Sequence, residues 1–100
     1  MTIRVSGALS ADAQKMHALT GEAVVVVRVS PGYGQDFEAR VSLGKDPAAH
    51  IKAEALALSC VKGMTADVEA LAAEPRNDHG AACIVLRKLN RVVVAGRALL

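Results

Sequence analysis

Residues 23–30 read Ala-Val-Val-Val-Val-Arg-Val-Ser, so five of eight consecutive positions are valine. β-Branched side chains are stiff at χ1 and suit a pleated surface better than a helix. The segment must be a strand. Both of its faces are apolar until Arg28 and Ser30, which places it centrally in a sheet. Ser30-Pro31-Gly32-Tyr33-Gly34 then reads as a turn. Residues 36–43 alternate, with Phe37, Ala39, Val41 and Leu43 on one side and Asp36, Glu38, Arg40 and Ser42 on the other. Two strands joined by so short a turn form a hairpin, and parity assigns Phe37 to the core.

The rest of the chain follows from periodicity and punctuation. Ile3, Val5 and Leu9 alternate with Arg4, Ser6 and Ala8, the pattern of a half-buried strand. Residues 10–22 are polar and broken at Thr20-Gly21; they read as a long loop or the flared ends of a hairpin, with room for a helical turn at 11–16. Asp46-Pro47 is a helix start, an N-cap followed by a proline whose missing N–H costs nothing there. Ala48, Ile51, Ala55, Leu58 and Lys62 recur at helical spacing, which predicts the buried stripe, and Gly63 is placed to end the helix. Residues 65–74 favour helix by composition and strand by alternation. Residues 75–80 are a turn, and 81–87 with 91–95 form one bent strand or two strands joined near 88–90.

Three strands, a helix and two strands predict a mainly β fold: a five-stranded Greek-key barrel of the oligonucleotide/oligosaccharide-binding (OB) type, with one α-helix between strands 3 and 4 plugging one end. At 100 residues the chain is expected to be a single domain, 1–100.

Composition removes whole classes of function. Apolar runs such as residues 23–27 are far short of the ~20 residues that span a bilayer. With no secretion signal at the N-terminus, the expected location is cytoplasmic, with Cys60 and Cys83 as reduced thiols. His17, His50 and His79 lack ligand spacing, so no metal is expected. Gly32-Tyr33-Gly34 joins strand to strand and lacks the lysine of a phosphate loop; no Gly-x-Ser-x-Gly or His-Glu-x-x-His occurs. The expectation is a non-enzyme without cofactor. A formal net charge of +2 permits a polyanionic partner without demanding one.

Residues 3–9, 24–29 with 37–41, 53–63 closing on Lys62-Gly63, and 77–80 with 83–94 resemble, in order and spacing, the single-stranded DNA-binding proteins of bacteria and bacteriophages. The resemblance covers nearly the whole chain. It implies an OB barrel in DNA replication or repair that binds single-stranded DNA with little sequence preference and self-associates as a homo-oligomer. Members of that family stack bases on several aromatic rings. This chain has one Tyr, one Phe and no Trp, so Tyr33 is the one ring placed for stacking. The expected phosphate contacts are Arg28, Arg40, Arg76, Arg87, Lys88 and Arg91. The alternative is a protein–protein or assembly module on an OB-like barrel without nucleic acid.

Overall fold

The computed structural model describes residues 1–32, 34–78 and 81–100. In chain order the elements are β1 (Ile3–Leu9), β2 (Gln14–His17), β3 (Ala23–Ser30), β4 (Asp36–Gly44), α1 (Pro47–Ser59), β5 (Thr65–Asp78), β6 (Ala81–Val94) and β7 (Arg97–Ala98). Five of the strands close a ring. β1 pairs antiparallel with β5, β5 with β6 and β3 with β4; β4 and β6 run parallel from Asp36↔Cys83 to Ala39↔Leu86; β3 returns to β1 at Ala8↔Ser30 and Leu9↔Val29. β7 extends the end of β6.

Residues 10–22, read as a long loop or the flared ends of a hairpin, contain a short strand that forms a hairpin with β3. β2 pairs with the first half of β3, from Gln14↔Val26 to His17↔Ala23, while β1 pairs with the last residues of β3. β1 and β2 are thus two arms along one side of β3, separated by residues 10–13 and turned back at 18–22, where Ala18 N–H donates to Glu22 C=O. No helical turn forms at 11–16. Because of this extra strand, α1 follows the fourth strand of the chain rather than the third.

Residues 65–74 are strand, so alternation outweighs helix propensity. Val68 and Ala70 face inward and Asp67 and Glu69 outward. β6 is one strand bent past Lys88, which has φ 54°, and the β5–β6 register shifts between Glu69 and Ala70. Such irregularities let a narrow sheet curl into a ring.

The interior is built from small side chains. Val25, Val27, Val29, Val41, Val68 and Val92 are at most 1% exposed, and Ala23, Ala39 and Ala70 are fully buried. A five-stranded ring has little internal volume, so valine and alanine fill it where rings would not fit. Phe37 packs against this core only partly buried.

The helix presents the face opposite to the one predicted. Ala49, Ala53 and Leu56 are buried against the barrel, whereas Ile51 and Leu58 are 70% and 77% exposed. Close approach to the barrel end selects alanines on the inner face, and apolar residues on both faces left periodicity unable to choose between them. The helix also stops at Ser59, whose Oγ–H donates to Leu56 C=O; Gly63 (φ 93°) belongs to the following turn, with its N–H on Leu9 C=O.

Outside the barrel, Arg4 donates from Nε and Nη2 to the two Asp67 carboxylate oxygens, both at 3.0 Å, and Ser6 Oγ–H donates to Oδ1. The Arg4 hydrogen bonds, then that of Ser6, hold the Asp67 carboxyl below the usual carboxylate range. A carboxyl with a lowered native pKa stabilises the fold above its unfolded value, and that contribution disappears as pH falls through the native value. Asp67→Asn is therefore expected to melt lower than the parent at neutral pH and to lose less on acidification below about pH 4, read by calorimetry. Parallel pH curves for the two proteins would contradict this.

Candidate functional site

The strand register determines which basic residues meet. Glu74↔Val85, Val85↔Glu38 and Glu38↔Arg28 form one row across β5, β6, β4 and β3. Directly opposed residues share a face, as do residues two apart on one strand. Arg40 and Arg76 therefore lie on the face of Glu38 and Glu74, and Arg87 on that of Val85. The inward residues of these strands are Val27, Val29, Ala39 and Leu86. Arg28, Arg40, Arg76 and Arg87, one from each of four strands, thus gather on the outer face of the sheet.

Glu38 sits at the centre of this face and is only 6% exposed. Its Oε2 is 3.3 Å from Arg40 Nη2 and 3.4 Å from Arg76 Nη1. Arg87 donates from Nε to Glu74 Oε1 at 3.0 Å. Arg40 Nε is buried and makes no hydrogen bond. Arg28 lies opposite Glu38 in register but makes no ion pair among the described residues. It borders a cleft of about 280 Å³ with Asp12, Gln14, Met16 and Val26. The face is therefore cationic at its margins, with one nearly enclosed carboxylate holding two of the guanidinium groups.

Two of the predicted contacts lie elsewhere. Arg91 is opposite Glu69, beyond the register shift, and its Nε is 3.5 Å from Asp67 Oδ2, in the cluster that contains Arg4. Lys88 is exposed at the bend of β6. Tyr33 and His79 lie outside the described residues. The central place of Glu38 was missed from sequence; its signal was the Glu38-x-Arg40 spacing combined with the hairpin register that sets Glu38 against Arg28.

Among the described residues, no three His, Cys, Asp or Glu side chains converge as metal ligands, and no helix is long and apolar enough to cross a membrane. Cys60 and Cys83 are buried thiols. No family model, curated protein or solved structure matches the chain.

Proposed function

We propose that this chain is a non-enzymatic, sequence-tolerant single-stranded DNA-binding protein on an OB barrel. The observation that carries the proposal is the gathering of Arg28, Arg40, Arg76 and Arg87 from four strands onto one outer sheet face. The circuit β1–β3–β4–β6–β5–β1, its parallel β4–β6 pair and a helix between β4 and β5 support the OB assignment. A flat row of guanidinium groups suits a flexible phosphate backbone, and contacts to phosphates carry no sequence information. Arg28 is the first contact because no carboxylate has to be displaced from it. Arg87 joins by exchanging the exposed Glu74 carboxylate for a phosphate oxygen, and Arg40 and Arg76 meet the strand above the enclosed Glu38. Tyr33, between β3 and β4 in sequence, is the proposed stacking ring. Arg91 and Lys88 lie off this face and serve at most as outlying charge.

The second reading, an assembly module without nucleic acid, is favoured by one observation: three of the four arginines are already held by Glu38 or Glu74. Fluorescence anisotropy with a labelled oligo-dT separates the two. The DNA proposal expects binding at low salt that falls steeply as salt rises. Arg28→Ala should weaken it and reduce the slope of log K against log salt by about 1. An oligo-dT that does not bind at low salt sinks the proposal.

A further inference from the structure

Open strand edges among the described residues include β5 beyond Ala70, where β1 ends, and the outer side of β2. The open part of β5 carries Glu74, Pro75 and Arg76, residue types that keep a foreign strand away. β2 is guarded only by Lys15. Its polarity can be read from its ends. Ala13 N–H donates to Cys60 C=O, away from β3, and Ala18 N–H donates to Glu22 C=O, towards it. Alternation then turns the backbone groups of Gln14 and Met16 to β3 and those of Lys15 and His17 to the open side.

The surroundings of this edge combine apolar side chains with a few charged ones. The His17 ring lies 4.6 Å from that of His50 on α1, so the odd-numbered residues of β2 face the helix. Between β2 and α1 runs a cleft of about 470 Å³ lined by Lys15, Glu54, Ala57, Leu58 and Val61. Leu19, at the turn after β2, is fully exposed, and Met16 on the other side of the strand is 42% exposed.

We propose that β2 is a self-association edge, on which two copies of the chain pair antiparallel about a two-fold axis through Met16. In an antiparallel pair the opposed residues share a face, so such an axis sets each residue against one of its own parity. An axis through Lys15 would oppose two ammonium groups. An axis through Met16 sets Lys15 against the partner's His17, and the four unpaired N–H and C=O groups on each strand become two reciprocal hydrogen-bonded pairs. It brings both helices to the same side of the joined sheet, where Ile51 and Leu58 of each copy are covered. Leu19 comes to the Ala57–Val61 end of the partner's cleft. Each Lys15 approaches a cleft whose lining holds two carboxylates, Asp12 and Glu54, against its own single Lys15, so the charges are complementary. A foreign peptide would complete the strand ladder but leave the helix stripe in water; a second copy covers both.

Light scattering across a concentration series, without nucleic acid, tests this separately from oligonucleotide binding. The parent should reach twice the monomer mass of 10.4 kDa. Lys15→Pro removes an N–H that points away from β3, so it should return the mass to the monomer with the circular dichroism spectrum unchanged. Leu58→Glu, at an exposed helix position, should do the same and keeps the test open if the proline variant misfolds. A parent that stays monomeric at every concentration, or a folded Lys15→Pro or Leu58→Glu variant that dimerises like the parent, overturns the proposal.

Discussion

Replacing Gly7 by alanine is expected to lower the melting temperature by roughly 10–20 °C, the equivalent of about 3 kcal/mol for a domain of this size. Gly7 lies in β1 where the ring closes on β3. A Cβ there would sit 2.3 Å from the Ser30 carbonyl oxygen, 2.8 Å from its carbon and 2.9 Å from Pro31 Cα. All three atoms are backbone, so no rotamer change relieves the clash. One side of the ring must move, and the pairs it would break are Ala8↔Ser30 and Leu9↔Val29. Leu9 and Val29, 2% and 0% exposed, would then meet water. Gly21→Ala is the matched comparison: its φ is 92°, but nothing lies within 4 Å of the added Cβ. It should cost only the left-handed backbone strain of about 1 kcal/mol. Thermal melts followed by circular dichroism decide the matter, and equal losses in the two variants would show that the β1–β3 closure yields easily.

How far the sequence anticipates these features depends on how local the controlling physics is. The valine run 23–29 and the alternation at 36–43 each carry their own periodicity, so their strands and their pairing were legible. Residues 14–17 were not: Gln-Lys-Met-His has no apolar alternation, and the segment is a strand only because β3 offers it an unpaired edge. The helix was legible in existence but not in orientation, since Ile51 and Leu58 match helical spacing as well as Ala49, Ala53 and Leu56 do. Close approach to the barrel, a tertiary fact, chose the smaller side chains. The same division holds for the arginines. Arg28 and Arg40 could be placed together by a hairpin register, whereas Arg76 and Arg87 joined them only through the parallel β4–β6 pairing, which no local pattern announces. Arg91 and Lys88 looked continuous with Arg87 along the chain, but the bend at Lys88 and the register shift beside Arg91 separate them from it.

Glu38→Gln is expected to tighten oligo-dT binding about fivefold at low salt, because a unit charge some 4 Å from a phosphate is worth about 1 kcal/mol even in a water-like medium. The carboxylate occupies the position between Arg40 and Arg76 that a phosphate oxygen would take, and it is only 6% exposed, so a bound strand passes over it without washing its charge away. The amide keeps the shape and removes the one negative charge that Arg40 and Arg76 share. The salt slope should therefore steepen, since more counterions gather on the free face and more are released on binding. Stability should change modestly: Arg40 and Arg76 side chains are 31% and 39% exposed, so water solvates their charges, and the amide oxygen still accepts a hydrogen bond without the cost of an enclosed charge. The variant thus separates charge on this face from integrity of the fold. If Glu38→Gln melts like the parent yet binds no more tightly and with the same salt slope, the strand does not run between Arg40 and Arg76. The phosphate path would then be confined to the Arg28 margin, beside Asp12 and Gln14.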